Sequence, residues 1–265
     1  MASVEDLQSV DHGNWIPGFG NMLGKENRSW WRTRKWWVNI LVWTIIINGL
    51  LAMILWVVPV EDPTEVVPSE EVMQVFVTIF GAFATIGVIV ITQGSIIGEK
   101  RSGTAEWVMS NPVSAGSFIL SKLVGNTLGI LVVIVLVQSL LFYAQIALRE
   151  GELIPVAPFA ASIALVSLAL FFFLTLTLML GAIFNSRGPV IGIALALLIG
   201  QDLVAGLVAE FIPWFPDVLP QRLYDFALLA LDSEPLPSYV SLIVASTLSV
   251  IFVAVAIWRF GREEY

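Results

Sequence analysis

The chain has no cysteine and a single histidine, His12. Disulfides, thiol catalysis, iron–sulfur clusters and Cys-ligated zinc are thereby excluded, and one imidazole cannot make a multi-His metal site. Without thiols, the redox state of the compartment leaves no mark on the sequence. Charge is scarce as well: Asp, Glu, Lys and Arg make up 13% of the 265 residues, against about 25% in soluble domains. Positive charge is scarcest, with 13 Lys and Arg against 21 Asp and Glu and a net charge of −8. Such a balance lacks the basic surface that nucleic acid requires. What fills the chain instead is apolar. Hydrophobic residues are 57% of the total, including 10 Trp and 16 Phe, and the mean hydropathy is +0.87. So little polar surface could not cover one soluble core of that size, which leaves an integral membrane protein.

A helix crossing the hydrocarbon needs about 20 mostly apolar residues. Six runs qualify, over 37–58, 72–97, 118–148, 159–184, 188–209 and 239–258. The sequence therefore predicts an all-α integral membrane protein with an N-terminal segment (1–36), a six-helix transmembrane domain (37–258) and a short tail (259–265). The third run exceeds one membrane thickness and is expected to project into water at its start. No early apolar stretch of signal-peptide type precedes the first span. Sorting cations by alternate connections puts eleven of the 13 on one side. They are Lys25, Arg28, Arg32, Arg34 and Lys35 ahead of span 1, Lys100, Arg101 and Lys122 around the loop between spans 2 and 3, Arg187 between spans 4 and 5, and Arg259 and Arg262 in the tail. Only Arg149 and Arg222 fall on the other side, which holds twelve acids including Glu61, Asp62 and Glu65. By the positive-inside rule both termini are expected in the cytoplasm, with the chain a multi-pass protein of the plasma membrane. The acidic outer face fits adaptation to salty surroundings, simple solubility or a cation-attracting vestibule.

Ahead of span 1, a helical projection over 19–35 gathers Phe19, Met22, Leu23, Trp30 and Trp37 on one face and Lys25, Arg28, Arg32 and Lys35 on the opposite one. Aromatic groups opposite a basic stripe describe a helix lying in the membrane interface, with its cations near lipid phosphates and a bend into span 1 near Trp37. Two look-alikes in this segment are rejected. Gly20 to Lys25 has three residues between its glycines where a phosphate-binding loop has four, and Glu26 stands in the Ser/Thr position. Asn27-Arg28-Ser29 matches a glycosylation sequon but falls on the expected cytoplasmic side.

The stretch 98–122 is the only sizeable connection on the basic side. Gly103-Thr104 offers a turn and an N-cap, Glu106 sits where a helix dipole favours a carboxylate, and Asn111-Pro112 stops the run. Ser114 is placed to cap a further helix that runs on into span 3. In order along this loop stand Glu99-Lys100-Arg101, Gly103-Thr104, Trp107-Val108-Met109, Pro112-Val113-Ser114 and Lys122. That order resembles the loop between spans 2 and 3 in the type 2 permease subunits of ABC exporters. The six-span plan, the amphipathic entry, the Asn185-Ser186-Arg187-Gly188 hairpin and the Pro-rich segment before span 6 resemble the same family. The resemblance implies that the 103–111 helix is a cytoplasmic coupling helix docking on separate ABC ATPase subunits. Glu99, Arg101, Gly103, Thr104, Glu106, Trp107, Met109, Pro112 and Lys122 would then be its working residues. It also implies a second permease subunit, as homo- or heterodimer. ATP and Mg would be bound by the partner ATPase, since this chain has no complete phosphate-binding loop and no cofactor of its own. The implied function is a membrane-spanning subunit of an ATP-driven exporter that translocates or flips a substrate. The alternative is a non-transport scaffold subunit of a larger membrane complex.

Inside the spans, Asn48, Gln93, Asn126, Gln138, Gln145, Gln201 and Asp202 are expected to avoid lipid, with Gln201 and Asp202 as candidates for a transport path. Ser121, Gly125 and Gly129 in span 3, and Gly188 and Gly192 in span 5, make small faces suited to close helix approach. With no Cys, His or paired carboxylates in the spans, an intramembrane enzyme is disfavoured. Between spans 5 and 6, Leu219, Leu223, Phe226 and Ala230 recur at helical spacing among five prolines, which predicts short helices at the outer leaflet.

Overall fold

The structure is a computed structural model and describes residues 16–57 and 67–263. His12, Glu61, Asp62 and Glu65 lie outside the described residues. Among the described residues there is no strand. The helices are α1 (Phe19–Trp31), α2 (Lys35–Val57), α3 (Ser69–Thr92), α4 (Ile97–Arg101), α5 (Thr104–Met109), α6 (Ala115–Glu150), α7 (Val156–Ile183), α8 (Arg187–Ala209), α9 (Arg222–Leu231) and α10 (Val240–Phe260). Six of them, α2, α3, α6, α7, α8 and α10, are long and apolar enough to cross a membrane, as the sequence predicts. The 36 residues of α6 extend about 54 Å at 1.5 Å per residue, well beyond a hydrocarbon core of about 30 Å.

Local chemistry sets the ends. Ser114 accepts the Ser117 amide at 3.0 Å and so caps α6 as expected. Gly151, at φ +75°, turns the chain out of α6 in the left-handed region that glycine occupies without a Cβ clash. The expected cap on the short helix is different. Gly103 itself occupies the cap position at φ +71°, and the Thr104 hydroxyl bonds Ser102 at 2.8 Å instead of a backbone amide.

The centre of the bundle is α7. Two thirds (67%) of its most apolar stretch is buried, against 17% in α8 and 22% in α10, so α7 is the helix the others are built around. It packs along α10, α3, α9 and α8. Four stacked rings, Phe76, Phe80, Phe142 and Phe159, tie α3, α6 and α7 together, the closest pair being Phe76 and Phe142 at 3.9 Å. Between α2 and α6 the glue is polar. Asn48 donates to Gln138 Oε1 at 2.9 Å, and Gln145 donates to Asn48 Oδ1 at 2.9 Å. Both helices loosen into π turns there, over Thr44–Gly49 and Leu131–Leu136. The expectation that these amides avoid lipid is met by their bonding one another across the helix pair.

Side-chain hydrogen bonds sort the connections into two ends. At one, which carries α1, α4 and α5, Lys100 donates to the Ala182 carbonyl at 2.8 Å and Arg101 to the Asn185 carbonyl at 3.3 Å. At the other, Arg149 donates to the Val67 carbonyl at 2.8 Å, Ser69 bonds Glu150, and Ser241 donates to the Asp217 carbonyl at 2.5 Å. These are the basic and acidic ends that alternate crossing requires.

Candidate functional site

The basic end is organised around Lys122, about two turns into α6 and only 1% exposed. A buried ammonium is costly unless paired, and Lys122 has two partners. It donates to Glu99 at 2.7 Å and to Glu26 at 2.9 Å. Glu99 also takes Lys25 at 2.9 Å. Three separate segments, α1, α4 and α6, are thus joined by one alternating chain of charges. Asn126, one turn further along α6, accepts the Trp30 indole N–H at 3.2 Å and donates to Ser95 at 3.2 Å, adding a neutral layer below the ions.

The docking of α1 follows from its spacing. Met22, Glu26 and Trp30 fall four residues apart and are the buried residues of this helix. They lie in the groove made by the small face of α6. A Cβ added at Gly125 would stand 2.7 Å from Glu26 Cβ, and one at Gly129 would clash with the Trp30 indole. The small face of span 3 therefore serves close approach within the chain, and the helix it receives is α1. The start of α1 is held as well: the Pro17 carbonyl accepts Ser117 Oγ at 2.7 Å, and Val113 fills the space beside Gly18.

Two expectations about the entry change. The helix does not run through 19–35. It ends at Trp31, where the Thr33 hydroxyl donates to the Ser29 carbonyl at 2.7 Å and accepts the Lys35 amide at 3.2 Å. Local side-chain bonding of this kind offers the backbone an alternative to continued helix. The bend accordingly lies at 32–34 and not near Trp37, with Arg32 exposed in the link and Lys35 opening α2, its ammonium 4.0 Å from the Trp30 ring. Phe19 is partly buried and Arg28 exposed, as amphipathicity requires. The inner face nonetheless contains Glu26, which hydrophobic patterning passes over.

Beyond this cluster α5 stands at the tip. Ala105 and Val108 turn inward and are buried, Met109 packs partly against the core, and Glu106 and Trp107 face outward. Trp107 is 70% exposed. Its carbonyl accepts both Ser110 Oγ and Asn111 Nδ2 at 2.8 Å, closing the end of the helix ahead of exposed Pro112. Lys100 binds Glu263 at 2.7 Å, so the tail clasps the same loop. Of the residues read from the sequence, Glu99 and Lys122 meet directly, Arg101 reaches the α7–α8 turn, and Met109 is turned away from the outer face.

At the acidic end, Gln201 and Asp202 separate, because neighbours on a helix point about 100° apart. Gln201 is buried and exchanges bonds with Gln221, at 2.9 Å from its amide and 3.1 Å to its carbonyl, which fixes the outer segment to α8. Asp202 is exposed and borders a 350 Å³ cavity lined also by Thr78, Tyr224 and Asp225. Burial pushes the Tyr224 phenol well above its usual range, opposed by its 2.6 Å hydrogen bond with Thr85. Among the described residues no group of three or more His, Cys, Asp or Glu is placed to hold a metal ion. The predicted outer helix is present as α9, with Leu223, Phe226 and Ala227 buried against α7 and α3.

Comparison with known proteins decides the family. Residues 37–265 match the family described as "Protein of unknown function (DUF2705)". The chain belongs to the DUF2705 family. It is also similar to the "Uncharacterized transmembrane protein YxlG" of Bacillus subtilis (strain 168), with 26% identity over 196 residues that span 72% of this chain and 74% of the relative. The expected membership in the type 2 ABC permeases is overturned by this match. Among the residues that carried the resemblance in 98–122, Gly103, Pro112 and Ser114 are turn, stop and cap signals, which any braced connection between two membrane helices needs whatever its family. The DUF2705 match covers all six spans and the α4–α5 connection, while α1 lies ahead of it.

Proposed function

We propose that this chain is the membrane-spanning subunit of a transport complex, worked through α5 by a separate ATP-hydrolysing subunit in the cytoplasm that drives export or flipping of a substrate. The observation that carries the reading is Trp107, a large aromatic group 70% exposed on a helix that the rest of the basic end holds rigidly. Buried aromatic anchors dominate protein interfaces, and an isolated exposed Trp on a braced tip suits one. Force applied at α5 has routes into the bundle through the ion and carbonyl contacts of neighbouring α4: Glu99 to α1 and α6, Lys100 to the last turn of α7, and Arg101 to the α7–α8 turn.

The complex holds two copies of the chain. On α8, Gly192, Ile199, Asp202 and Leu203 are exposed, and nothing lies within 4 Å of a Cβ added at Gly188, Gly192, Gly200 or Gly206. A carboxylate at this depth does not stay against lipid, and a face of small residues allows a second helix to cover it.

The test is co-purification of the full chain from its own membranes. Recovery of an ATPase in fixed ratio with two copies of the chain is expected. Trp107→Ala with Glu106→Lys should reduce that recovery at least tenfold, since loss of an interface hot spot costs on the order of 2 kcal/mol or more. Undiminished recovery of the partner by the double variant, or a complex without any ATPase, would leave the scaffold reading in its place.

Both termini are proposed to be cytoplasmic, from the eleven-to-two distribution of cations. Because the chain is free of cysteine, single cysteines report cleanly. A membrane-impermeant maleimide added to intact cells should label a cysteine at Glu234 at once and one at Trp107 only after the membrane is opened. The reverse order would invert the topology.

A further inference from the structure

Beneath α1, between it and the ends of α3, α6 and α8, lies a cavity of 390 Å³. Four cations, Lys25, Lys35, Lys122 and Arg187, and two carboxylates, Glu26 and Glu99, line it. The carboxylates are already engaged, with Lys122 bridging both and Lys25 holding Glu99. Those four groups cancel, so the excess positive charge belongs to Lys35 and Arg187. Among the described residues neither makes an ion pair. Lys35 lies over the Trp30 ring at 4.0 Å, and Arg187 lies along Gly94, where an added Cβ would stand 3.2 Å from its terminal nitrogen. The cavity also contains acceptors with no hydrogen-bond partner among the described residues: Gln93 Oε1 and the second oxygen of Glu99.

We propose that this cavity binds one phosphate ester that carries a hydroxyl or ammonium donor a few atoms from its phosphorus. The phosphate takes the two unpaired cations, and the donor takes Gln93 Oε1 and Glu99 Oε2. A forked guanidinium and a mobile ammonium together suit a tetrahedral dianion or monoanion, and charge-assisted bonds of this kind are the strong ones. The two buried acceptors explain why a bare phosphate is not the best fit: each costs free energy while unpaired, and a donor on the ligand removes that cost. Glycerol and ethanolamine lipid headgroups have this chemistry, as do the corresponding free phosphate esters. A choline headgroup has the phosphate and lacks the donor. The cavity opens beside amphipathic α1; Trp31 at its end and Trp36 in the first turn of α2 flank the link between them and are exposed, which places the cavity at headgroup depth in the leaflet where α1 lies. No ATPase partner is needed for this site, so it stands apart from the transport reading.

The full chain, in nanodiscs of phosphatidylcholine containing phosphatidylglycerol or phosphatidylethanolamine, would be released into native mass spectrometry and its retained lipid counted. One donor-bearing lipid per chain is expected, favoured about tenfold over phosphatidylcholine. Lys35→Gln with Arg187→Gln should lower that retention by about tenfold, whereas Arg32→Gln, an exposed cation in the same link but outside the cavity, should change it by less than about twofold. Gln93→Leu should keep the lipid and erase the preference over phosphatidylcholine. Displacement of the lipid by millimolar glycerol 3-phosphate or ethanolamine phosphate would support the same site with a soluble source, and resistance to both would assign it to the membrane. Equal retention of phosphatidylcholine by the unaltered chain would overturn the proposal by showing that no donor is read, and an Arg32→Gln effect as large as that of the Lys35 and Arg187 pair would overturn it as mere attraction of a basic surface for lipid phosphate.

Discussion

Replacing Lys122 with Met is expected to destabilise the fold by about 3–5 kcal/mol, the range for removing one partner of a buried ion pair. Methionine fills much the same space, so the loss is chiefly electrostatic. Glu26 and Glu99 would both lose their direct partner, leaving among the described residues only the ion pair of Glu99 with Lys25, whose side chain is 43% exposed. Unfolding of the solubilised chain by heat in a mild detergent reads the effect, and limited proteolysis at the 32–34 link reads release of α1. Adding Glu26→Gln and Glu99→Gln to the Lys122→Met chain should recover most of the loss, because no buried carboxylate is then left without its cation. An unchanged midpoint for Lys122→Met alone, or no recovery in the triple variant, would mean that the charge cluster does not hold the basic end together.

The second large effect belongs to Gly129. Alanine at this position puts a methyl group into the Trp30 indole, which is 1% exposed and also bound to Asn126. Neither partner has room to move, since Trp30 is sandwiched between α6 and the Lys35 ammonium. Overpacking of this kind costs about 1–3 kcal/mol. Gly24→Ala is the matched control on α1 itself: nothing lies within 4 Å of its added Cβ, and a helix-interior glycine replaced by alanine gains about 0.5–1 kcal/mol. Loss of stability at Gly129 together with a gain at Gly24 is the expected pair of results. Similar behaviour of the two variants would show that α1 is not seated in the α6 groove.

Both predictions concern residues that the sequence displayed without assigning their partners. Lys122 stood alone near the start of an apolar run, which already required a counter-charge. Glu26 was visible at the four-residue spacing of Met22 and Trp30, but a search for apolar stripes skips a carboxylate on the apolar side. The small face at Gly125 and Gly129 was legible as a place of close approach, whereas the identity of the approaching helix was not. Gly188 and Gly192 look alike in sequence and remain open in the folded chain.

The amino-acid sequence by itself determined the class, the six helices long and apolar enough to cross a membrane, the long third span, the cap at Ser114, the short helix between spans 5 and 6 and the division into basic and acidic ends. Each of these depends on residues within one or two helical turns, or on a running sum of apolarity that a bilayer enforces segment by segment. Tertiary structure alone decided that α1 lies in the α6 groove, that Lys122 reaches Glu26 across 96 positions, and that Lys35 and Arg187 line one cavity while making no ion pair among the described residues. It also decided that Gln201 braces the outer segment while Asp202 does not. Those outcomes turn on which helix faces meet. In lipid every span is apolar enough to face any other, so small residues, aromatic fit and a few buried polar pairs make the choice.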